Sequence, residues 1–410
     1  MRIGLIGWYG HQNAGDQRIL ECLQRFFDGH DLVVTRSLPD AEDRAEELDA
    51  CDFVLLGGGG LILRGTGRYA GLIRNLRPRF GCVGIGVEAR HRDNLQFIEA
   101  VKDRAEFILV RDERSRQLLR CPSKTVVGPD LTFLYPYDAV AEVEADVCGL
   151  NLRPWVSWHG EFAGLHDRLM HKLNARAPEL VARSLFSRWE PDKAVDMVHK
   201  SFAQVVPLPL YLEPDRGNDR SVLSAYFADV PDVFLGESLD GCRFVASMRF
   251  HGLVFACQKG IPFLSFSYQP KNERFCRALG LERLSMSLFD LGALPGAIRY
   301  LKANHATLRA TLLEARASHR QVISDLMADV YHQMAGTVHR SFEHRPLHPA
   351  GTGGSLDRLE SPYGHKCTAP RDDGQQVLLT SASGWGGDGR PHSLRGSGRA
   401  RGRPCAGLGQ

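Results

Sequence analysis

An arginine and a histidine stand two residues apart in residues 247–251 (SMRFH), and no other segment of the chain is better suited to chemistry. The apolar run 244–246 predicts a buried strand, and the apolar run 252–257, followed by Gly260, predicts a packed helix. Arg249 and His251 are therefore expected at a strand's carboxyl end, where open α/β sheets bind ligands. A guanidinium there can hold a carboxylate or phosphate through two hydrogen bonds, and a histidine can move a proton. The alternative is that the pair merely caps a turn.

Two further cations are expected on the same side of the same sheet. Arg153 follows a predicted strand and precedes Pro154, and Lys271 follows the predicted strand 262–267. Residues 243–283 hold seven Lys/Arg and two Asp/Glu, whereas residues 205–240 hold two and seven. This local excess of positive charge predicts an anion site beside Arg249.

The loop 7–16 (GWYGHQNAGD) joins the first predicted strand to the first predicted helix. Its spacing is not Gly-x-Gly-x-x-Gly, and Asp16 in the first helical turn would oppose a phosphate, so a neutral, hydroxyl-rich ligand such as a sugar fits better. Tyr9, Asn13 and Asp16 are the candidate contacts, with Asp16 as a base. Alternatively, Asn13 caps the helix while Asp16 reaches back to it, which is compatible with a binding role.

Two other segments stand at predicted strand ends. The glycine run 57–60 predicts a second glycine-rich turn, with Gly58 and Gly59 forming part of a cleft floor made of backbone. Residues 111–115 (RDERS) are best explained by helix capping and surface ion pairs.

The order of the elements predicts an α/β protein with two Rossmann-like, doubly wound domains. Apolar runs alternate with helical patterns in both halves, and the helix pattern is clearest in residues 16–27. The predicted strands are 3–6, 32–34, 53–56, 82–85, 107–110 and 125–127, then 147–152, 205–212, 233–235, 244–247 and 262–267. We predict an N-terminal domain at 1–140, a C-terminal domain at 145–335, and a long helical region at 291–334 that packs across both.

Composition excludes several classes of protein. The ten cysteines include no Cys-x-x-Cys pair, which argues against a zinc ribbon or a secreted disulfide framework, and no metal site is expected. No apolar stretch approaches the roughly 20 residues that span a bilayer, and the N-terminus is not a signal peptide, so we expect a cytoplasmic protein.

The formal net charge of +3 comes from the C-terminal tail. Residues 336–410 hold ten Lys/Arg, six Asp/Glu, 15 Gly and 6 Pro, a composition that predicts disorder, while the rest of the chain has 41 basic and 42 acidic residues. Residues 401–404 (RGRP) resemble a DNA minor-groove motif, but a solvated basic tail is the better explanation and no nucleic-acid partner is expected.

Five segments, taken together and in order, resemble the polysaccharide pyruvyl transferase family over about residues 1–335. They are residues 7–20, 57–60, 110–115, 247–251 and 268–271. The sequence departs from the family's usual pattern at Gln17, where a glutamate is common, at Phe250, where a leucine is common, and around Asp130, where the Asp-Pro order is lost.

The resemblance implies two Rossmann-like domains that face each other across a cleft, as in GT-B glycosyltransferases. It also implies transfer of pyruvate from phosphoenolpyruvate to a sugar as a ketal. In that scheme Arg249, His251 and Arg153 hold phosphoenolpyruvate in the C-terminal domain, and the N-terminal cleft takes the sugar.

The residues and the resemblance together give one interpretation. Arg249, Arg153 and Lys271 neutralise phosphoenolpyruvate, His251 is the acid and Asp16 the base, and no cofactor is needed. The acceptor would be a sugar, polysaccharide or lipid-linked glycan precursor held by Tyr9, Asn13, Asp16, Gly58 and Gly59. A lipid-linked acceptor would bring the protein to the inner face of the membrane. The alternatives are a GT-B glycosyltransferase or sugar-nucleotide epimerase, and a non-catalytic sugar-binding protein of the same fold.

Overall fold

The computed structural model describes residues 1–88, 90–139, 141–154, 191–215, 217–232, 237–287 and 291–336. In these ranges the chain forms two sheets, one of six strands and one of five, and every strand pairing is parallel. Helices alternate with the strands in both halves. The predicted α/β class with two parallel, helix-covered sheets is confirmed.

The first sheet has the order β2-β1-β3-β4-β5-β6, and all six predicted strands of the first half are present. The strands are β1 Arg2–Ile6, β2 Asp31–Thr35, β3 Phe53–Ile62, β4 Arg79–Val87, β5 Ala105–Val110 and β6 Thr125–Val127. The helices are α1 Ala14–Phe26, α2 Leu38–Asp43, α3 Ala45–Asp49, α4 Ala70–Asn75, α5 Leu95–Arg104 and α6 Glu113–Leu119. The helix predicted at 16–27 is α1, which buries Ile19, Leu20 and Leu23 on one face.

The glycine run 57–60 is not the turn that the sequence predicted. Strand β3 continues through it to Ile62, and its pairing with β4 shifts register between Gly59 and Ile62. Gly58 and Gly59 have φ values of 69° and 79°, which favour glycine. The run is therefore a bulged strand whose irregular backbone passes beside α1.

The second sheet has the order β11-β10-β9-β7-β8. Its strands are β7 Val147–Asn151, β8 Gln204–Pro207, β9 Phe244–Ser247, β10 Phe263–Ser267 and β11 Ser285–Ser287. Its helices are α7 Pro191–Ser201, α8 Arg220–Leu223, α9 Phe250–Lys259, α10 Pro270–Ala278, α11 Leu294–Ala303 and α12 His305–Met334. The strand predicted at 233–235 lies outside the described residues.

In both sheets the first strand of the sheet in sequence has later strands on both of its sides, which makes it a topological switch point. In the first sheet β1 lies between β2 and β3, and in the second β7 lies between β8 and β9. Ligands bind at such switch points in open α/β sheets, beyond the carboxyl ends of the strands. The segments that follow these strands carry Asp16 in the first turn of α1 after β1, Arg153 after β7, and Arg249 and His251 at the start of α9 after β9.

Helix α12 joins the two halves, as the sequence predicted. Leu313 of α12 packs over Gly260 at the end of α9, and Leu326 packs over Gly128 just after β6. One continuous hydrophobic core contains buried residues of both sheets and of α12. The division into domains at 1–140 and 145–335 stays a prediction, and the tail predicted at 336–410 lies, beyond Gly336, outside the described residues.

Three other sequence-based expectations concern absences. Across the described ranges no helix has the length and apolar character needed to cross a membrane. The eight described cysteines are free thiols. No cluster of three or more His, Cys, Asp or Glu residues that could hold a metal ion is found in the same ranges.

Candidate active site

A cleft of about 930 Å³ is lined by residues of both halves of the chain. Six of the nine predicted site residues line it: Asn13, Asp16, Arg153, Arg249, His251 and Lys271. The segments that follow β1 and β8 are also hydrogen-bonded to each other directly, since Ala14 N–H donates to Leu210 O and Leu212 N–H donates to Gln12 O. Residues far apart in sequence therefore share one site.

Asp16 is a buried carboxylate at the start of α1. Its residue is 8% exposed, and within the part of the chain that the structure describes its side chain makes no hydrogen bond. A Cβ atom on Gly59 would lie 2.5 Å from Asp16 Oδ1, so the bulged glycine strand makes room for it. Burial raises the pKa of Asp16, although the charges of His251 and Arg111 oppose this shift. A carboxylate with a raised pKa and free oxygens is suited to accept a proton.

His251 lies directly against the N-terminal turn of α1. A Cβ atom on Gly15 would lie 1.7 Å from His251 Nδ1, so only glycine fits between them. On its other side, His251 Nε2 faces Asp130 Oδ2 at 3.5 Å, which is an ion-pair distance rather than a well-formed hydrogen bond. The imidazole from the second half of the chain is thus held between two elements of the first.

Asp130 is fixed in turn by its own neighbours. Its Oδ1 accepts hydrogen bonds from Thr132 N at 3.0 Å and from Thr132 Oγ1 at 2.8 Å. Burial alone would raise the pKa of Asp130, but His251, the charge of Arg111 and the Thr132 N–H together hold it below its usual range. Asp130 is therefore an anionic partner that orients His251.

Arg249 is already engaged by a carboxylate of the protein. Its Nε lies 2.8 Å and its Nη2 2.6 Å from Asp219 Oδ1, and Nη2 also donates to Gly217 O at 2.6 Å. The two-bond grip predicted for a ligand is thus made to Asp219, which is fully buried. Burial alone would lower the pKa of Arg249, but Asp219 raises it.

The Arg249–Asp219 pair belongs to a buried polar network. Asn151 at the end of β7 donates to Asp219 Oδ2 at 3.0 Å, and its Oδ1 accepts from Arg249 N–H at 2.9 Å and from Ser247 Oγ at 3.1 Å. Leu210 N–H also donates to Asp219 at 2.9 Å. The network fixes the strand-to-helix turn that carries Arg249 and His251.

The remaining cations surround Tyr268. Arg153 Nη1 donates to the Tyr268 hydroxyl at 2.8 Å. Burial alone would raise the pKa of Tyr268, but the charges of Arg153, Lys271 and Arg249 hold it below its usual range. A phenol whose pKa is lowered by three cations reports a positive local field, as the excess of basic residues at 243–283 predicted.

Three predicted acceptor contacts are corrected. Tyr9 is 1% exposed, and its hydroxyl donates to Gly57 O at 2.6 Å, so it supports the glycine strand and does not line the cleft. Gly58 packs on Ile19 of α1, and Gly59 packs on Asp16, so both shape the floor without facing the cleft.

Asn13 does line the cleft, and it also begins α1. Its Oδ1 accepts from Gly15 N–H at 3.2 Å, which confirms the predicted cap. No hydrogen bond from Asp16 back to Asn13 is present, so the capping box is incomplete.

The sequence interpretation missed the site roles of several residues. Asp112 caps α6 through Ser115 N–H, as expected, but its neighbour Arg111 lines the cleft and lies 5.7 Å from the Phe250 ring centroid. The sequence marks Asp130 only as a departure from the family pattern, and Tyr268 only as part of the family-like segment 268–271. For Asp219, the available signal was the acidic character of residues 205–240 beside a basic segment.

Comparison with known proteins identifies the family of the chain. The sequence model of the family described as polysaccharide pyruvyl transferase matches residues 13–270, which include Asp16, Asp130, Arg249 and His251. The chain belongs to the polysaccharide pyruvyl transferase family. No curated protein matches the chain significantly.

Solved structures resemble this family member only distantly. The S. aureus MnaA–UDP co-structure has 11% identity and a TM-score of 0.48, covering 83% of this chain and 98% of that one. UDP-GlcNAc 2-epimerase from Neisseria meningitidis bound to UDP-GlcNAc has 10% identity and a TM-score of 0.46, with 81% and 100% covered. Spinosyn forosaminyltransferase SpnP has 15% identity and a TM-score of 0.43, with 82% and 99% covered.

Proposed function

We propose that this polysaccharide pyruvyl transferase family member transfers pyruvate from phosphoenolpyruvate to two hydroxyls of a sugar as a ketal and releases phosphate. One observation carries the proposal: a buried carboxylate with a raised pKa, Asp16, and a histidine held by a second carboxylate, His251, meet in one cleft beside a cluster of cations. The family supports a glycan acceptor. The scheme uses no cofactor.

Phosphoenolpyruvate would bind on the side of the cleft formed by the second sheet. Its carboxylate and phosphate must leave water, and this requires cations that are already in place. Arg153, Lys271 and Arg111 line the cleft and supply that charge. Arg249 contributes less charge than the sequence suggested, because Asp219 offsets it, and it would offer the ligand mainly Nη1.

The acid and the base have separate tasks in this scheme. His251, protonated and oriented by Asp130, donates a proton to the methylene carbon of phosphoenolpyruvate, which makes C2 electrophilic. Asp16 accepts the proton of the first sugar hydroxyl as its oxygen bonds to C2. The second hydroxyl then bonds to C2 as the C2–O bond to phosphate breaks. The two sugar hydroxyls lose two protons in total. One makes up for the proton that His251 gave to the methylene carbon, and the other leaves with phosphate.

The proposal is tested by phosphate release. Purified protein is incubated with phosphoenolpyruvate, with and without glycan precursors from the host, and release should require the acceptor. Arg153→Ala and Lys271→Ala should raise the KM for phosphoenolpyruvate, whereas His251→Ala should mainly lower kcat. If the protein instead consumes a nucleotide sugar and ignores phosphoenolpyruvate, it is a glycosyltransferase or epimerase, and the proposal is wrong.

A further inference from the structure

Exposed apolar side chains concentrate in the candidate active site. Among the described residues, the large hydrophobic side chains that are exposed are Met1, Trp8 and Leu63, at 38%, 40% and 41%. Met1 begins the chain, but Trp8 and Leu63 both line the cleft. Single exposed apolar residues need no explanation, whereas two in one concave site mark a surface that a ligand covers.

The Trp8 ring is braced before any ligand arrives. It stacks on His11 with ring centroids 3.9 Å apart and an interplanar angle of 15°. His11 is anchored in turn, because its Nε2 lies 3.1 Å from Arg36 O and its Nδ1 lies 3.8 Å from Glu213 Oε1. One face of the indole is therefore covered and fixed, while the residue keeps 40% of its surface exposed. An aromatic ring that is already fixed loses little entropy when a ligand stacks on it.

Part of the cleft wall is apolar and lies close to Asp16 in the lining. Leu38, Pro39 and Leu61 line the cleft together with Trp8, all from the first half of the chain. Cations line the cleft from both halves: Arg153, Arg249 and Lys271 from the second, and Arg64, Arg68 and Arg111 from the first. An apolar aromatic surface next to a carboxylate suits a ligand that has a C–H face and a hydroxyl edge, which describes a pyranose ring.

We infer that Trp8 is the platform on which the pyranose ring of the acceptor stacks, with its hydroxyl edge directed toward Asn13 and Asp16. This inference deepens the proposed function and rests on it for the identity of this side as the acceptor side. The tryptophan selects for the C–H face of the sugar, and Asp16 selects for a hydroxyl. The inference commits to a sugar ring as the occupant rather than an alkyl chain.

The test is direct sugar binding without phosphoenolpyruvate, so that it does not depend on the reaction. Methyl pyranosides of galactose, glucose, mannose and N-acetylglucosamine are titrated against the full chain, with saturation-transfer NMR as the readout. At least one methyl pyranoside should bind. Trp8→Ala should raise the Kd for that sugar at least about tenfold, whereas Trp8→Phe should retain most of the affinity because it keeps an aromatic face. A circular dichroism spectrum and a urea unfolding midpoint equal to those of the wild-type chain show that Trp8→Ala is folded.

Three results would overturn the inference: no methyl pyranoside binds the wild-type chain, one binds equally well to Trp8→Ala, or only octyl glycosides bind, which would make the apolar surface a lipid site. The proposed function can fail separately. If a methyl pyranoside binds in a Trp8-dependent way while no pyruvate is ever transferred, the sugar platform stands and the proposed reaction does not.

Discussion

Removing the carboxylate of Asp219 should destabilise the protein more than any other single charge removal considered in this site. Asp219 is fully buried and accepts hydrogen bonds from the Arg249 guanidinium, from Asn151 Nδ2 and from Leu210 N–H. Asp219→Ala leaves these donors without their acceptor and leaves the Arg249 charge, whose side chain is only 14% exposed, without its counter-ion.

The magnitude follows from the burial of both partners. Removing one partner of a buried ion pair costs about 3–5 kcal/mol. Because Arg249 lines the cleft and water can reach it, the lower end of that range is expected. Domains are stable by only about 5–15 kcal/mol, so a loss of about 3 kcal/mol is a large fraction of the total.

The assay is urea denaturation followed by circular dichroism, with the free energy of unfolding extrapolated to water. Asp232→Ala is the matched control, because Asp232 also faces an arginine, Arg220 at 3.4 Å, but is fully exposed. It should leave the midpoint unchanged. The double variant Arg249→Met, Asp219→Leu should recover much of the loss, because it removes both buried charges together.

A loss in Asp219→Ala within about 0.5 kcal/mol of that in Asp232→Ala would refute the reasoning, since surface substitutions usually change stability by no more than this. Failure of the double variant to recover any stability would show instead that the Asn151 and Leu210 hydrogen bonds, and not the charge pair, carry the energy.

Further predictions concern the acid, the base and the glycine between them. Asp16→Asn should lower kcat by about 10²–10⁴-fold. Because burial raises the pKa of Asp16 and a base acts when ionised, wild-type activity should fall as pH drops through a value above the usual carboxyl pKa of about 3.9. If the same acidic fall in the pH–rate profile persists in Asp16→Asn, Asp16 is not the base. Asp130 has a lowered pKa, so its ionised form stabilises the fold above the unfolded pKa of about 3.9, and this contribution is lost as pH falls below it. The stability difference between wild type and Asp130→Asn in urea should therefore shrink below about pH 4, and a constant difference would contradict the assignment. Gly15→Ala should lower kcat sharply because the new methyl group displaces His251, while Gly296→Ala, with no atom within 4 Å of the added methyl, should stay fully active; equal activity of the two would contradict the packing of His251 on α1.

The strands could be predicted where a buried parallel sheet leaves a continuous apolar run. All six strands of the first sheet were found this way, because runs such as 53–56 and 107–110 are apolar throughout. Strand β11 was missed because Ser285–Ser287 has only one apolar residue. The glycine run was misassigned to a turn, because a bulged strand and a turn both need positive φ and cannot be told apart by composition.

The sequence could predict a site residue only where the local pattern around that residue identified it. Strand ends placed Arg249 and His251 correctly, but their partners Asp219 and Asp130 come from elements 30 and 121 residues away. No local pattern encodes such a contact. Tyr9 was misassigned because its type suits sugar binding, whereas its burial depends on how the loop folds back over Gly7.

The most direct test of the central claim is mass spectrometry of a glycan acceptor after incubation with the protein and phosphoenolpyruvate. Cell-wall or exopolysaccharide precursors from the host serve as acceptors, and Asp16→Asn serves as the impaired control. The predicted result is that one precursor gains a single pyruvyl ketal in step with phosphate release, and that the control forms it about 10²–10⁴-fold more slowly. The contradicting result is that no precursor gains pyruvate, or that the acceptor gains a sugar from a nucleotide donor while phosphoenolpyruvate is left intact.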